Sequence, residues 1–321
     1  MPKSKVAYFS GIGGRAEFMI GQAPPDFEIT LVDPGLSDDE KAQLCKDADA
    51  IISSDISTEV LKQCPNVKLI QTLSAGYDRL DLEAILEMGI PVANNGGANA
   101  IAVSEHSIAL MINVGKRMML QWNSTTNQRQ WRADLYLSDL SELTDKTVGI
   151  VGLGRIGKHV AKRLTGFDTH TIYHDIEEIP EDVQKELKAE PVPFEELLRE
   201  SDIVSMHVPL TRRTRGMMSD REFGMMKSTA YLINACRGPV VDEEALYRAL
   251  KDGQIAAAGV DVLEVEPTPA ENPLLDLDNV VVTPHMAGQS QETNLRAANF
   301  AYSNIMRVLS GEQPESLVTP E

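Results

Sequence analysis

The chain has 321 residues, and at about 150 residues per domain this length predicts two domains. It carries 30 Lys and Arg against 48 Asp and Glu, for a formal net charge of −18, and 42% of its residues are hydrophobic. That hydrophobic share excludes an intrinsically disordered chain. An acidic surface repels phosphate backbones and anionic lipids, so we expect neither nucleic acid nor a membrane as a partner.

The cysteines and the first residues indicate the compartment. Cys45, Cys64 and Cys236 are odd in number and form no C-x-x-C pair. This pattern predicts neither a disulfide framework nor a bound metal, and it favours a reducing environment. The N-terminus runs into glycines instead of the apolar segment of a signal peptide, and no apolar run of about 18 residues follows. We therefore expect a cytoplasmic protein.

Short apolar runs alternate with amphipathic stretches in the first part of the chain, a pattern typical of βα units and parallel sheets. Five strands and two helices are predicted there, the strands at Val6–Phe9, Glu28–Val32, Ala50–Ser53, Lys68–Leu73 and Pro91–Ala93 and the helices at Asp38–Cys45 and Asp81–Met88. A long helical pattern then begins near Ser104 and runs to Leu120. The polar stretch Gln121–Arg132 is interpreted either as an arm that contacts a second copy or as a plain surface loop.

The alternation becomes regular from Thr147 onward. Six strands are predicted, as expected for two mononucleotide-binding halves, and they lie at Thr147–Gly152, His170–His174, Ile203–Val208, Ala230–Ala235, Ala256–Val262 and Val280–Thr283. A helical pattern over Glu292–Leu309 follows them. The fold class is therefore α/β with doubly wound parallel sheets.

A glycine-rich turn follows the first of these six strands. Gly152, Gly154 and Gly157 form G-x-G-x-x-G between that strand and a helical pattern over Ile156–Leu164. In this motif the glycines allow a tight turn, close approach of a pyrophosphate, and close contact between helix and strand. Asp175 follows the second strand, 21 residues after Gly154, where an acid binds the ribose hydroxyls of NAD. The spacing predicts a dinucleotide site.

Three polar residue types follow the later strands. Arg237 comes after the fourth strand, Asp261 and then Glu266 after the fifth, and His285 after the sixth. Ligands of open α/β sheets bind beyond the carboxyl ends of the strands, so these side chains are expected to converge. Hydride transfer at a C–O bond needs a proton donor such as His, a carboxylate that stabilises its imidazolium, and an arginine that binds a substrate carboxylate.

Each of these residues also has a structural interpretation. Arg237 either binds substrate or caps a helix or pairs with Glu266. Asp261 could equally be a solvated loop acid, and His285 an ordinary loop histidine. Arg15, after the first strand, is open between facing the substrate and solvent. For His106 we prefer a helix-capping role at a helix start, with Glu105 favourable to the helix dipole.

At these residues the chain resembles the D-isomer-specific 2-hydroxyacid dehydrogenases. The resemblance is carried by Gly149–Gly157, His207–Thr211, Asn234–Asp242, Gly259–Pro267 and Thr283–His285, together with Ala75–Asp78 and Val103–His106. It implies two Rossmann-like domains with a cleft between them. Residues 1–103 and 292–321 would form the substrate domain, and residues 104–291 the NAD-binding domain.

The resemblance also implies the activity and the residues that perform it. The enzyme would interconvert a D-2-hydroxy acid and its 2-keto acid with NAD, as an expected homodimer. The catalytic positions are matched by Arg237, Glu266 and His285, the cofactor positions by Gly152, Gly154, Arg155, Ile156, Gly157, Asp175, Pro209, Ala235, Asp261 and Ser104, and the substrate positions by Ser74, Ala75, Gly76 and Arg237.

Departures from the family pattern narrow this interpretation. Formate dehydrogenases of the family carry glutamine where Glu266 stands, and phosphite dehydrogenases carry lysine where Ala75 stands, so neither subfamily fits. Glyoxylate, hydroxypyruvate and phosphoglycerate stay open as substrates. The alternative function is a nucleotide-sensing binding protein, like the corepressors that share this fold.

Overall fold

The computed structural model describes residues 3–11, 13–131 and 140–319. The described residues up to Asn99 contain strands β1 (Ser4–Phe9), β2 (Phe27–Val32), β3 (Ala50–Ile52), β4 (Ile70–Gln71) and β5 (Val92–Ala93), with helices α1 (Gly14–Gly21), α2 (Asp38–Cys45), α3 (Thr58–Leu61) and α4 (Leu82–Glu87). Helices α5 (Ala100–Lys116) and α6 (Met118–Thr126) follow.

The remaining elements alternate strand and helix. The strands are β6 (Thr147–Val151), β7 (His170–His174), β8 (Ala189–Pro191), β9 (Ile203–Met206), β10 (Tyr231–Asn234), β11 (Ala257–Val260) and β12 (Val280–Val282). The helices are α7 (Arg155–Leu164), α8 (Glu181–Leu187), α9 (Phe194–Glu200), α10 (Asp220–Phe223), α11 (Glu243–Lys251) and α12 (Gln291–Leu309).

The chain divides into two compact units. The first holds the described residues up to Asn99 together with those from Gln289 onward, and the second spans Ala100–Gly288. Each unit contains one sheet, and every strand pair in both sheets is parallel. The predicted fold class, two doubly wound parallel-sheet α/β domains, is confirmed. The functional division at 103/104 and 291/292 stays a prediction.

The first unit is built on a five-stranded sheet in the order β2-β1-β3-β4-β5. Successive residues of a strand point to opposite faces, so Val6 and Tyr8 join one core cluster while Ala7 joins another. Helix α12 covers the first of these faces with Ala301 and Ile305. The C-terminal helix is thus part of the core of the N-terminal sheet.

The second unit is built on a seven-stranded sheet in the order β12-β11-β10-β9-β6-β7-β8. The prediction of six strands was therefore wrong by one, because β8 was missed. This edge strand has three residues, Ala189, Glu190 and Pro191, and lacks the apolar run that marks a central strand. The chain order reverses between β6 and β9, which is where open α/β sheets bind ligands.

Two local predictions need correction. Helix α5 begins at Ala100 and not near Ser104. The surface-loop interpretation of Gln121–Arg132 is wrong for its first half, because α6 continues to Thr126, and Arg132 lies outside the described residues. No helix in the described ranges is long and apolar enough to cross a membrane. Within the same ranges, His, Cys, Asp and Glu side chains form no group of three or more that is able to hold a metal ion.

Candidate active site

The glycine-rich turn joins β6 to α7 at the switch point of the second sheet. Gly152 has φ +92°, and a Cβ there would lie 2.7 Å from the carbonyl oxygen of His207. A Cβ on Gly157 would overlap the carbonyl oxygen of Gly152, so α7 passes directly over the end of the strand. A Cβ on Gly154, in contrast, would meet no described atom within 4 Å. The turn therefore leaves one open side, at Gly154.

The start of α7 and Asp175 complete this turn. The N-cap residue of α7 is Gly154, and no side chain in the described residues caps the helix, a kind of helix start that binds anions in dinucleotide sites. Asp175 accepts hydrogen bonds from Leu153 N at 2.6 Å and from Glu177 N at 2.9 Å. Each carboxylate oxygen has about two lone pairs, so acceptor capacity remains for ribose hydroxyls. These residues fit a dinucleotide.

Arg237 lies in a tightly packed turn after β10. Asn234 holds this turn, because its Oδ1 accepts from Cys236 N at 3.1 Å and its Nδ2 donates to Arg237 O at 3.1 Å. A Cβ on Gly238 would overlap the carbonyl oxygen of Leu263, so the turn packs against the loop that carries Glu266. The guanidinium of Arg237 donates to Cys236 O at 2.8 Å. Asn234 is a positioning residue that the sequence pattern did not single out.

Asp261 is buried, with 1% of its surface exposed, and it accepts hydrogen bonds from several residues of the loop after β12. Its Oδ1 accepts from Thr283 Oγ1 at 2.6 Å and from Met286 N at 2.9 Å, and its Oδ2 accepts from Ala287 N at 2.8 Å. Its backbone oxygen accepts from His285 N at 2.7 Å. The interpretation of Asp261 as a solvated loop acid is therefore wrong.

His285 and Glu266 form a hydrogen-bonded pair. The distance from His285 Nδ1 to Glu266 Oε2 is 2.6 Å. The other oxygen of Glu266 accepts from Leu263 N at 3.1 Å, which orients the carboxylate. The His285 side chain is 48% exposed and that of Glu266 29%, so the imidazole is accessible while its partner is partly shielded. This is the geometry of an oriented acid–base histidine.

His106 lies well inside a helix. Because α5 begins at Ala100, position 106 is in its second turn, and the predicted capping role is wrong. Its Nε2 lies 2.9 Å from Thr283 Oγ1 and 3.5 Å from Asp261 Oδ1. Glu105, assigned to the helix dipole, pairs with Arg163 at 3.0 Å. His106 therefore belongs to the hydrogen-bonded cluster around Asp261.

Two further groups at the strand ends are uncharged at neutral pH. Burial lowers the pKa of His207, after β9, to about 4. Its Nε2 lies 2.8 Å from Ser205 Oγ, and its buried Nδ1 has no partner among the described residues. Burial raises the pKa of the Cys236 thiol to about 11, so a reactive thiolate is not populated there.

The remaining predicted cofactor residues differ in their surroundings. Ala235 belongs to a small apolar cluster with Val103 and Ala287, and Ile156 packs against it. Ser104 is fully buried and donates to Ile101 O at 2.7 Å within α5. Arg155 and Pro209 are exposed at the ends of β6 and β9. All of them lie at the carboxyl edge of the second sheet or on α5 beside it.

The predicted substrate loop Ser74–Gly76 lies in the first unit, after β4. Its three carbonyl oxygens all accept hydrogen bonds: Ser74 O from Thr72 Oγ1 at 2.6 Å, Ala75 O from Asn94 Nδ2 at 3.4 Å, and Gly76 O from Ser74 Oγ at 2.7 Å. The amides of Ala75 and Gly76 donate to no other described residue. The loop therefore offers backbone donors to an anion. Arg15, whose role stays open, is exposed in the first turn of α1.

A residue outside the predicted set supports this loop. Ser316, near the C-terminus, donates through Oγ to Asn94 Oδ1 at 2.5 Å, and its backbone oxygen accepts from Asn94 N at 3.1 Å. Asn94 in turn holds Ala75 O. The C-terminal tail thus braces the loop through Asn94, a contact between distant parts of the sequence that no local motif marks.

A glycine-rich βα turn and an Arg, Glu and His set at one edge of a doubly wound sheet are typical of a nicotinamide-dependent oxidoreductase. Comparison with known proteins identifies one family. Residues 108–287 match the family model described as the NAD-binding domain of D-isomer-specific 2-hydroxyacid dehydrogenases.

Individual relatives agree with the family model. Glyoxylate reductase of Thermofilum pendens is 42% identical over 286 residues, which cover 88% of this chain and 82% of that protein. D-3-phosphoglycerate dehydrogenase of Methanocaldococcus jannaschii is 36% identical over 88% of this chain and 54% of that protein. The holo form of D-mandelate dehydrogenase from Rhodotorula graminis is similar in structure with a TM-score of 0.88 and 27% identity, covering 100% of this chain and 99% of that chain.

The chain belongs to the D-isomer-specific 2-hydroxyacid dehydrogenase family, and it is an NAD-dependent enzyme. The predicted family, enzyme class and cofactor are confirmed.

Proposed function

We propose that the enzyme reduces a small 2-keto acid to the corresponding 2-hydroxy acid with NADH, and that glyoxylate is such a substrate. The name of the Thermofilum pendens relative and its 42% identity support glyoxylate. The observation that carries the reaction type is the 2.6 Å hydrogen bond between His285 Nδ1 and Glu266 Oε2, in loops that follow strands of the same sheet as the glycine-rich turn.

His285 is the acid in this proposal. An ionised carboxylate only accepts, so His285 Nδ1 donates its proton to Glu266 and Nε2 is left to face the substrate. When bound, NADH supplies the hydride that adds to the keto carbon. Protonated His285 gives its Nε2 proton to the carbonyl oxygen, which becomes the hydroxyl group, and Glu266 stabilises the imidazolium before transfer.

Arg237 binds the substrate carboxylate in this proposal. A guanidinium presents parallel N–H donors that match a carboxylate. In the first unit, the amides of Ala75 and Gly76 donate to no other described residue and are backbone donors that the loop offers to an anion, and Ser74 holds the loop through Gly76 O.

The cofactor residues act through backbone, apolar and acidic contacts. Gly152, Gly154 and Gly157 shape the turn, with Arg155 and Ile156 at the start of α7. Asp175 accepts from the ribose hydroxyls. Asp261 retains acceptor capacity on Oδ2. Pro209 follows β9, Ala235 follows β10 and Ser104 lies in α5.

A substrate panel tests this function. NADH consumption is followed with glyoxylate and hydroxypyruvate, and the reverse reaction with 3-phosphoglycerate, for the wild type, His285→Ala and Glu266→Gln. We expect glyoxylate turnover in the wild type and a loss of about 10²–10⁴-fold in His285→Ala, with NADH binding retained. Glu266→Gln should also lower glyoxylate turnover, since the imidazolium loses its carboxylate partner.

The control is His170→Ala, because His170 is an exposed histidine at the start of β7 in the same unit. It should leave turnover unchanged. A wild type that consumes no NADH with any keto acid would favour the nucleotide-sensing alternative. Full activity in His285→Ala would remove His285 from the mechanism.

We also propose a homodimer that forms through α6 and the edge strand β12. Met118, Met119 and Trp122 on α6 are 49%, 48% and 54% exposed. Met119 and Trp122 line a groove whose floor includes Val280 and Val281 of β12. Large apolar side chains beside an open sheet edge are typical of a surface that another protein covers.

Light scattering and sedimentation test the dimer. The wild type should have twice the mass of the chain, and Trp122→Glu should shift it to the monomer because a charge would be buried in the interface. Trp122→Phe is the matched control. A monomeric wild type contradicts the proposal.

The enzyme is assigned to the cytoplasm, which agrees with three free, buried cysteines.

A further inference from the structure

The helix α5 carries a histidine that reaches the end of β12. His106 is 25% exposed in its side chain, and its Nε2 lies 2.9 Å from the hydroxyl of Thr283. Positions 106 and 283 are 177 residues apart in sequence, so the contact exists only because α5 packs beside β12. His106 has no place in the proposed mechanism so far.

The directions of the hydrogen bonds follow from the chemistry of the groups. Thr283 Oγ1 donates its single proton to Asp261 Oδ1 at 2.6 Å, since an ionised carboxylate only accepts. The hydroxyl oxygen of Thr283 is then left to accept, and His106 Nε2–H must be the donor. The result is a directed chain from His106 through Thr283 to Asp261.

Asp261 in turn forms hydrogen bonds to the loop that carries His285. Its carboxylate accepts from the amides of Met286 and Ala287, and its backbone oxygen accepts from His285 N. His285 itself has φ +53°, a left-handed conformation that is disfavoured for residues with a Cβ. Such a conformation persists only where surrounding contacts determine it.

We propose that His106 is a positioning residue for His285, acting through Thr283 and Asp261. The hydrogen bond from His106 orients the Thr283 hydroxyl, the hydroxyl orients the Asp261 carboxylate, and the carboxylate holds the 285–287 turn in which the imidazole meets Glu266. The inference rests on the proposed function for its catalytic consequence, while the ordering of the turn is independent of any substrate.

Three variants separate the effect of the His106 hydrogen bond from the effect of side-chain size. His106→Phe keeps a ring of similar size and removes the donor, His106→Gln restores an N–H donor at similar reach, and Thr283→Val removes the middle of the chain. His106→Phe and Thr283→Val should each lower kcat about tenfold, the effect of one lost hydrogen bond, and the double variant should be no worse. His106→Gln should return to within about threefold of the wild type.

The readouts distinguish positioning from a loss of folded enzyme. With C4-deuterated NADH, the primary isotope effect on kcat should rise in His106→Phe because the chemical step becomes slower, while the Kd for NADH stays within about threefold. A fall in kcat with an unchanged isotope effect and a matching fall in titrated active sites would overturn the proposal. The matched control is His170→Phe, at an exposed histidine of the same unit, which should change neither quantity.

Hydrogen exchange decides the inference without any substrate. The amides of Met286 and Ala287 should exchange about tenfold faster in His106→Phe than in the wild type, and His106→Gln should restore their protection. Unchanged exchange at both amides overturns the role of His106 even if the enzyme is active. A wild type that reduces no keto acid, together with faster exchange in His106→Phe, would overturn the proposed function and leave His106 as the residue that orders the turn.

Discussion

We predict that Asp175 causes a preference for NADH over NADPH, and that it has a second role in the glycine-rich turn. Its Oδ2 accepts from Leu153 N at 2.6 Å, so it holds the glycine-rich turn. An acid at the end of the second strand of such a unit is expected to face the ribose 2′ position. Glu177 and Glu178 follow it, and no Lys or Arg occurs from residue 176 to residue 184. The sequence next to Asp175 therefore provides no cation to offset a phosphate.

The magnitude follows from Coulomb's law. Two like unit charges about 5 Å apart at an effective dielectric constant of about 20 repel by about 3 kcal/mol. At about 1.4 kcal/mol per factor of ten, the kcat/KM for NADH should exceed that for NADPH by about 100-fold.

Two substitutions separate the two roles of Asp175. Asp175→Asn removes the charge but keeps an oxygen that is able to accept from Leu153 N, so kcat/KM for NADPH should rise about tenfold or more with a small loss for NADH. Asp175→Ala also leaves the Leu153 amide unpaired, and NADH should then lose a further tenfold or so. The control is Glu181→Gln, whose side chain is 83% exposed in an ion pair with Lys185.

Steady-state kinetics with both cofactors provide the measurement. Equal use of NADH and NADPH by the wild type would refute the electrostatic argument. Identical NADH kinetics in Asp175→Asn and Asp175→Ala would refute the second role, because the hydrogen bond to Leu153 would then contribute nothing.

Three further predictions concern substrate binding and stability. Arg237→Lys should raise the KM for the keto acid about tenfold at unchanged Kd for NADH, because a point charge cannot replace two parallel donors; an unaltered KM would return Arg237 to a structural role. Ser316→Ala should raise the same KM about threefold, since Asn94 loses the donor that braces Ala75; an effect on NADH binding instead would contradict this. Burial lowers the pKa of His207 from 6.5 to about 4, so the unfolded chain binds a proton in that window that the folded chain does not, and stability falls as the pH falls through it. Urea unfolding at about pH 7 and about pH 5 should show the wild type losing about 2 kcal/mol more than His207→Gln, and equal losses would exclude the effect.

The fold class and the NAD cofactor were predictable from local sequence. Strand and helix periodicity is set by the few residues of each element, and the helix Asp38–Cys45 and the strand His170–His174 have the predicted bounds. The G-x-G-x-x-G turn is equally local in sequence, and one of its glycines, Gly157, is required by the carbonyl oxygen of Gly152 in the same βα unit. Short edge strands such as β8 were not predicted, since their formation depends on a neighbouring strand more than on their own residues.

The tertiary structure alone decided how side chains distant in sequence support the site. Asp261 looked like a loop acid, and His106 like a helix cap, until packing placed both against Thr283. The same holds for Ser316 and Asn94, which meet across 222 positions. Periodicity reports which face of an element is apolar, but a hydrogen bond between polar atoms depends on ångström-scale placement of two elements. Only the packed chain determines that placement.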